Sequence, residues 1–409
     1  MAQTLVGLAG IVVILGIAVL LSGNRKAINL RIVGAAFALQ SVVAAIVIYS
    51  DAGKAGIEKL SAGVMNIMQY SRAGIEFVFG GLATESAVGS FAINVLPIIV
   101  FFSALMSVLY HLRIMQLFVR FIGGGLRWII GTRAVESMNA AANIFIGQTE
   151  APLVVRPYLS KLTEPQMFAI MVSGLASVAG TVLLAYAQMG AELRYLLAAS
   201  FMAAPGGLLM AKIIMPDEDL ESAAEDDAHL KMAKTPHENV ILAAAVGASD
   251  GVRLAVNIGA MLVAFVALIA LFNGLVGWLT GWIPGVGPLT LQGILGWFFA
   301  PIMYLLSIPW HEAQAAGALF GEKLILNEFV AYSHLNEYLA GMSERTVAIV
   351  TFSLCGFANL SSIAILLGGL GSLVPEKKDL IARFGIRAVA AGSLSNLMSA
   401  ALAGLLLGL

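Results

Sequence analysis

Long stretches without charged residues limit what this chain can fold into. Residues 254–310 contain no Asp, Glu, Lys or Arg, and neither do residues 5–21. An α-helix needs about 20 consecutive apolar residues to cross the hydrocarbon core of a bilayer. Only 11% of the 409 residues are charged, whereas soluble domains carry about 25%. The sequence therefore predicts an all-α polytopic membrane protein.

The basic residues predict how the chain is oriented in the membrane. Two loops contain several Lys and Arg residues and no acid: the loop between predicted helices one (about 4–23) and two (about 30–50), and the segment after helix three (about 89–111). Loops of this kind face the cytoplasm. No positive charge precedes helix one, so a retained helix is favoured over a signal peptide. Residues 51–85 mix charged and apolar positions, which is typical of an amphipathic helix lying at the membrane surface.

Two segments depart from a simple series of spans. Residues 137–149 are uncharged but too short to cross, with Arg133 before them and Arg156 after them. A short apolar segment of this kind indicates a re-entrant element, which we expect to enter from the cytoplasm, turn near 147–150 and leave along 152–159. A second broken element is predicted over 289–340, entering from outside with a kink at Pro309.

The remaining predictions complete an arrangement of eight spans with both termini outside. Helices four to eight are expected at about 165–189, 193–214, 254–281, 345–367 and 386–408. An acidic segment at 217–227 is expected to form a cytoplasmic loop. These expectations divide the chain into 1–85 (helices one and two with the interfacial helix), 86–215 (first repeat), 216–253 (acidic loop and amphipathic segment) and 254–409 (second repeat).

The division into repeats comes from an internal similarity. Residues 141–148 parallel residues 315–322, and each segment precedes a carboxylate, Glu150 or Glu328. Because the first broken element enters from inside and the second from outside, the repeats are predicted to be inverted. Inverted repeats with broken helices that meet at the membrane midplane indicate a secondary transporter. Chance similarity between Ala/Gly-rich segments is the alternative.

Polar residues near the two breaks are the candidates for a binding site. A carboxylate at membrane depth costs several kcal/mol, so a functional role is the default explanation for Glu150 and Glu328. For Glu322 and Lys323, a position at a helix end in contact with water is equally compatible with the sequence. The site lacks convergent Lys or Arg, and its amides, hydroxyls and carboxylates suit a neutral solute rich in donors and acceptors, such as a sugar or a base with a sugar. Its candidate residues are Gln148, Thr149, Glu150, Glu328, Asn359 and Ser362.

A sodium site is predicted beside this cluster. Sodium in transporters often binds carbonyl oxygens that are freed where a helix is broken. The candidate ligands are Asn143, the carbonyl of Ile146, Ser177 and the carbonyl of Val178; a helix–helix hydrogen bond is the alternative role for Asn143. Other classes are disfavoured: a net charge of −1 argues against a nucleic-acid partner, and no nucleophile–base pair or metal cluster of an enzyme occurs at a suitable spacing.

Three motifs resemble those of the concentrative nucleoside transporter family. They are GQTEAPL at 147–153, GEKLILNEFVAY at 321–332 and CGFANLSS at 355–362. The resemblance implies a homotrimer in which each protomer has eight spans and two re-entrant hairpins. It also implies a scaffold that includes helices three and six, and a transport domain that moves across the membrane as an elevator.

The resemblance also implies roles for individual residues. Gln148 and Thr149 match nucleobase contacts, with Glu150 acting partly through water and Val182 packing nearby. The implied ribose contacts are Glu328, Asn359 and Ser362, the apolar walls are Phe357 and Leu254, and the sodium ligands are Asn143, Ile146, Ser177 and Val178.

We therefore expect a sodium-coupled symporter for nucleosides such as uridine, cytidine or adenosine in a bacterial inner membrane. Sodium is the coupling ion, and no other cofactor is expected. The GQTEAP continuation resembles sodium-coupled members more than proton-coupled ones. Proton coupling, or transport of another neutral polar solute, is the alternative.

Overall fold

The computed structural model describes residues 2–83, 91–217, 238–282 and 287–408, and within these ranges it contains helices and no β-strand. The predicted all-α architecture is confirmed. The helices are α1 (Ala2–Leu20), α2 (Leu30–Ala44), α3 (Asp51–Phe79), α4 (Phe91–Asn94), α5 (Leu96–His111), α6 (Ile114–Ile130), α7 (Ala134–Ala142), α8 (Glu164–Ala176), α9 (Gly180–Gln188), α10 (Leu193–Ile214), α11 (Val240–Gly281), α12 (Leu291–Leu305), α13 (Trp310–Ile325), α14 (Glu328–Tyr338), α15 (Glu344–Leu354), α16 (Ser361–Gly368), α17 (Leu370–Leu373) and α18 (Lys378–Leu406). A π-helix (Ala45–Tyr49) extends α2, and a 3-10 helix (Ala151–Lys161) follows α7.

Seven helical segments of the described chain are long and apolar enough to cross a bilayer, and the number rises to eight if α12 and α13, bent by 117° at their junction, are counted as one span. The seven are Gln3–Leu20, Leu30–Tyr49, Phe91–His111, Glu164–Gln188, Leu193–Ile214, Val240–Gly281 and Pro375–Leu406. These lengths fit an integral membrane protein.

Two helices that the sequence predicts as continuous are interrupted. The predicted span at 165–189 consists of α8 and α9, separated at 177–179, and the span at 345–367 consists of α15 and α16, separated at 355–360. The prediction of continuous helices was wrong because both interruptions are short and contain no proline. Hydrogen bonds from distant parts of the chain, described below, replace the helical bonds that are lost there.

Other elements differ from the predictions mainly in their limits. Helix α11 begins at Val240 rather than near 254, and α18 begins at Lys378 rather than near 386. Helix α6 was not predicted, because its basic residues interrupt the apolar pattern. Its buried residues, Met115, Val119, Gly123, Leu126 and Ile130, nevertheless follow the three- and four-residue spacing of an amphipathic helix.

The predicted surface helix at 51–85 is present as α3, which buries only Ile57, Ser71 and Ile75; positions 84 and 85 lie outside the described residues. Of the predicted acidic loop at 217–227, only Asp217 is described, and its carboxylate accepts a hydrogen bond from Lys212 Nζ (2.6 Å).

Asn396 on α18 ties the two interrupted helices together at the centre of the fold. Its Nδ2 donates to the carbonyl oxygens of Ala176 (2.7 Å) and Cys355 (3.0 Å), which are the residues where α8 and α15 give way to the interruptions. Its Oδ1 accepts from Lys323 Nζ on α13 (2.8 Å). The chain passes so close at Gly356 that a Cβ atom there would lie 2.2 Å from Asn396 Oδ1. One amide therefore joins three separate segments.

Replacement of Asn396 by Ala should destabilise the protein strongly. Each buried polar group that loses its partner costs about 1–3 kcal/mol, and here two carbonyls and an ammonium group lose one. We expect the thermal unfolding midpoint of the detergent-purified protein to fall by several degrees. Ser393→Ala is the matched control on the same helix, because the buried Ser393 hydroxyl has no hydrogen-bond partner. Equal midpoints for the two variants would contradict a joining role for Asn396.

Candidate functional site

Two helical hairpins meet at the two interruptions. The first consists of α7, a turn at 143–150 and the 3-10 helix that follows; the second consists of α13, a turn at 326–327 and α14. Each hairpin is bonded through its backbone to the interrupted helix that follows it in the chain. The Gly180 amide donates to the Phe145 carbonyl of the first hairpin (3.0 Å), and the Leu360 amide donates to the Leu324 carbonyl of the second (3.1 Å).

The two interruptions are also bonded to each other. The amide of Phe357 donates to the carbonyl of Ser177 at 3.0 Å. The helix ends and hairpin turns therefore form one connected region in which backbone groups that would otherwise lie unpaired at membrane depth are satisfied. Non-helical backbone inside a membrane is found where it is buried in protein or lines a cavity. This region is where the fold can place a polar site.

Glu328 is held at the start of α14 by two side-chain donors. Tyr186 Oη donates to Glu328 Oε1 (2.9 Å), and Asn359 Nδ2 donates to Oε2 (2.9 Å). The preceding residue, Asn327, caps α14 by accepting a hydrogen bond from the Val330 amide (2.9 Å). Glu328 is buried, so these neutral donors stabilise the carboxylate where water cannot.

Polar contacts extend from Glu328 to the first hairpin. Asn359 Oδ1 accepts from the Ser362 amide (2.8 Å), and Gln148 Nε2 donates to Ser362 Oγ (3.4 Å). Gln148 Oε1 is buried without a partner in the described structure. The structure thus brings together Gln148, Glu328, Asn359 and Ser362, four of the candidate binding residues, and leaves an acceptor available among them.

The other candidate binding residues make no side-chain hydrogen bond to this cluster in the described part of the chain. Val182 is buried in the first turn of α9, and Phe357 is half-buried with its ring near Gly147. Thr149 is half-buried, and its methyl group lies against Gly369 of the segment after α16. Leu254 is half-buried on α11, and exposed Glu150 lies within electrostatic reach of Tyr110 on α5 and Asp250 on α11.

The candidate sodium ligands lie directly beside the cluster. Asn143 is buried at the end of α7, its Nδ2 donates to the Asn139 carbonyl (3.0 Å), and its Oδ1 has no partner. The side-chain amide of Asn143 is therefore bonded within its own helix, and it does not make the helix–helix hydrogen bond that was its alternative role. Gly174 of α8 packs against Asn143 and Gln148: a Cβ atom there would lie 2.8 Å from Gln148 Cβ and 3.8 Å from Asn143 Oδ1.

The remaining candidate ligands are also buried. The Ser177 hydroxyl donates to the Ser173 carbonyl (3.0 Å), which leaves its oxygen lone pairs free, and Ile146 and Val178 are buried at the first turn and the first interruption. A buried amide oxygen without a donor is an uncompensated partial negative charge. A monovalent cation held by oxygen atoms fits such a position.

Three buried residues with clear contacts were missed or left undecided by the sequence. Tyr186 was not predicted, although it bonds Glu328 and stacks on Tyr332 with ring centroids 4.5 Å apart. Glu322 does not reach water, because it is buried against His334 Nδ1 (3.0 Å) and Gln292 Nε2 (2.8 Å). Lys323 is also completely buried. The water-contact alternative for Glu322 and Lys323 is therefore wrong.

Family comparisons cover nearly the whole chain with three adjoining matches. Residues 9–82 match the description "Na+ dependent nucleoside transporter N-terminus", residues 92–193 match "Gate: Nucleoside recognition", and residues 195–404 match "Na+ dependent nucleoside transporter C-terminus". This chain belongs to the concentrative nucleoside transporter family. The family resemblance of the three motifs is confirmed.

Similar proteins support the assignment over nearly the whole of this chain. The chain is 52% identical to an uncharacterized transporter of Haemophilus influenzae (100% of this chain, 99% of the relative) and 48% identical to the nucleoside permease NupC of Helicobacter pylori (100% and 99%). It is 37% identical to the human sodium/nucleoside cotransporter 1, over 99% of this chain and 64% of the human protein.

Solved structures give the same result. The chain is similar to CNTnw in an inward-facing substrate-bound state, with a TM-score of 0.93, 50% identity and coverage of 100% of this chain and 98% of CNTnw. A CNTnw variant in an outward-facing state matches with the same TM-score and coverage. The transporter is thus an integral membrane protein of a nucleoside transporter family, and its relatives are transporters rather than enzymes.

Tyr186→Phe should weaken nucleoside binding without disturbing the aromatic packing. The substitution removes the donor to Glu328 and keeps the ring that stacks on Tyr332. Loss of a hydrogen bond to a charged group costs about 1.5–3 kcal/mol, so the KM for nucleoside uptake should rise at least about ten-fold. Tyr332→Phe is the control, because its hydroxyl donates to the Thr351 carbonyl (3.0 Å) and not to Glu328. An unchanged KM for Tyr186→Phe would exclude a role in holding the carboxylate.

Proposed function

We propose that this transporter is a sodium-coupled nucleoside symporter that takes up nucleosides across a bacterial inner membrane. The observation that carries the proposal is the cluster from Gln148 to Glu328, with the unpaired oxygen of Asn143 on the same hairpin. A neutral, polar solute and a small cation can then bind side by side. The sodium dependence named for the matching family and for the human relative supports this pairing.

In the proposed complex, the two hairpins contact opposite ends of the nucleoside. Glu328 accepts hydrogen bonds from the ribose hydroxyls, and Asn359 and Ser362 also bond to the ribose. The free Oε1 of Gln148 contacts the nucleobase. Thr149 contacts the base directly, and Glu150 contacts it partly through water. Val182, Phe357 and Leu254 supply apolar walls. Uridine, cytidine and adenosine all present this combination of a ribose and an apolar ring with polar edges.

Sodium binding would order the first hairpin. The proposed ligands are Asn143 Oδ1, the Ser177 hydroxyl and the carbonyls of Ile146 and Val178, which come from the hairpin turn and the interruption beside it. An ion that draws these oxygen atoms together also fixes the position of Gln148, because Asn143 and Gln148 both pack against Gly174. Sodium and nucleoside binding would thereby favour each other, as reciprocal linkage requires.

The order of elements supports two inverted repeats, each with a re-entrant hairpin, an interrupted helix and a continuous helix. The first repeat ends in α8, α9 and α10, and the second ends in α15, α16 and α18. The seven long apolar helices together with α15 and α16, taken as one interrupted span, make eight spans when α12 to α14 are assigned to the second broken element, and the positive-inside rule places both termini outside.

Burial separates two kinds of span. In the apolar windows of α8–α9 and α10, 94% and 89% of residues are buried within the protein, whereas the corresponding share is 22% for Phe91–His111 and 17% for α11. We infer that the buried helices belong to a transport domain, and that α5 and α11, which pack on each other, belong to a scaffold. The apolar surface that the scaffold leaves exposed suits contacts within a homotrimer and with lipid. Sliding of the transport domain along the scaffold would give elevator-type alternating access.

The decisive experiment is uridine uptake by proteoliposomes under a sodium gradient, under a proton gradient and without either. We expect accumulation with sodium only. Accumulation driven by the proton gradient alone would establish the proton-coupled alternative. Displacement of uridine by a free nucleobase as effectively as by adenosine would favour a different solute class.

Glu328→Gln should reduce uridine uptake to background while the protein still assembles, because the variant loses the carboxylate that accepts hydrogen bonds from the ribose. Size-exclusion chromatography of the purified variant checks assembly. Uptake at the unsubstituted level would refute the assigned ribose contact.

Asn143→Ala should weaken sodium activation more than nucleoside binding. Loss of one oxygen ligand is expected to raise the sodium concentration for half-maximal uptake at least about ten-fold, judging from the 10–100-fold effects of losing groups that support an ion's ligands. Asn273→Ala is the control: it removes an amide that bonds Gln292 and the Leu291 amide, far along the chain from the proposed ion site. A normal sodium dependence for Asn143→Ala would show that Asn143 is not a sodium ligand.

A further inference from the structure

A groove with a volume of about 730 Å³ lies between α2, α3, α6 and α10, beside Ile144 of the first hairpin. Every side chain that lines it is apolar, and none of the candidate nucleoside-binding residues except by neighbourhood in the chain belongs to it. Cavities that bind small molecules have volumes of about 300–1,000 Å³. The groove is therefore large enough to be a binding site in its own right, and its walls suit a hydrocarbon.

Glycines keep the groove open on two sides. Gly124 and Gly125 of α6 and Gly56 of α3 line it, and a Cβ atom added at any of them would meet no neighbouring atom within 4 Å. The space in front of these glycines is thus not filled by the side chains of this protomer. Apolar walls that face an empty space lose dispersion contacts, so an apolar occupant would stabilise them.

The groove lies at membrane depth. Its wall on α2 runs from Leu39 to Val47, within the apolar span Leu30–Tyr49. Phe121 and Trp128 of α6 also line it and are 81% and 84% exposed. Lipid chains are the apolar molecules that surround such a span. Helices α5 and α11, to which the homotrimer contacts are assigned above, do not line the groove, which favours lipid over a neighbouring protomer.

Two arginines lie at one end of the groove. Arg31 of α2 is exposed, and its Nη1 atom would lie 2.8 Å from a Cβ atom at Gly131, directly after α6. Arg127 is exposed on α6 between the lining residues Leu126 and Trp128. Within the ranges that the structure describes, Arg31 forms no ion pair with a carboxylate. Its positive charge is therefore available to an anion at this end.

The arginine end is also the end where a lipid headgroup would lie. The basic segment after helix three is predicted to face the cytoplasm, and tryptophan residues such as Trp128 are enriched at the level of the headgroups. Basic pockets between membrane helices on the cytoplasmic side bind anionic headgroups. The apolar walls and the two guanidinium groups thus match the two parts of one molecule.

We propose that this groove binds an anionic phospholipid, with an acyl chain between α2 and α6 and the phosphate beside Arg31 and Arg127. The site is separate from the nucleoside site and does not depend on the coupling ion. One wall is α10, in the proposed transport domain, and another is α3, which also contacts α5 of the proposed scaffold. A mobile acyl chain can keep such a boundary filled while its two sides shift.

Trp128 provides a reporter for the test. The sequence has five tryptophans, and Trp128 remains alone when Phe replaces the other four, which are Trp278, Trp282, Trp297 and Trp310. This variant is reconstituted with brominated phosphatidylglycerol or brominated phosphatidylcholine, because bromine quenches tryptophan fluorescence on contact. An arginine beside an anionic headgroup contributes a factor of about five. We therefore expect half-maximal quenching at a mole fraction at least about five-fold lower for the anionic lipid.

A second reporter and three further variants serve as controls. Trp297 of α12 is 77% exposed and does not line the groove, so a protein with Trp297 alone should be quenched equally by both lipids. In the Trp128 reporter, Arg31→Gln should reduce the preference about five-fold. Gly124→Leu should abolish it by filling the groove. Gly34→Leu should retain it, because Gly34 also faces open space but lies outside the groove.

Equal quenching of Trp128 by the two lipids would mean ordinary surrounding lipid only and would overturn the proposal. Absence of quenching by either lipid would mean that protein covers the groove, and would overturn it as well. A preference that survives Gly124→Leu would place the lipid outside the groove. Size-exclusion chromatography checks that each variant is folded. Loss of the proposed transport function is a separate result, since quenching is measured without sodium or nucleoside.

Discussion

The structure depends on satisfying backbone groups that are freed where helices are interrupted deep inside the protein. An unpaired amide or carbonyl in hydrocarbon costs several kcal/mol, so such interruptions persist only where other groups replace the helical bonds. Asn396 supplies two of the replacements, and the bond between Phe357 and Ser177 supplies another. The hairpins contribute the carbonyls of Phe145 and Leu324 to the same region. Once the interruptions are stable, polar side chains can collect around them in an otherwise apolar protein.

The positions of most helices could be predicted from the sequence because charge-free length is a local property. The interruptions at 177–179 and 355–360 could not, because their stability comes from Asn396, which is 220 residues from Ala176 in the chain. Helix α6 could not be predicted for a different reason: it is amphipathic and carries arginine on its exposed side, so it contains no long uncharged run. Local patterns thus locate spans, whereas long-range hydrogen bonds decide where a span is broken.

The candidate site shows the same contrast between residues that local patterns predict and contacts that only the fold reveals. Gln148, Glu328, Asn359 and Ser362 were predicted as a group because polar residues in apolar surroundings stand out, and the structure joins them by hydrogen bonds. Tyr186 could not be predicted in this way, because the large ring of a tyrosine packs well in an apolar helix and does not stand out as a polar residue. Glu322 and Lys323 are adjacent in the chain but bond to different residues, Glu322 to His334 and Lys323 to Asn396. The sequence does not show this difference.

Helix α11 has 42 residues, which corresponds to a length of about 63 Å at 1.5 Å per residue. The hydrocarbon core of a bilayer is about 30 Å thick, so this helix is about twice as tall as the layer it crosses unless it is steeply tilted. It packs along α5 and also meets α14 of the second hairpin. A helix of this length offers a continuous contact surface at more than one height. The proposed transport domain could therefore change its depth in the bilayer by many ångströms and still contact the same helix.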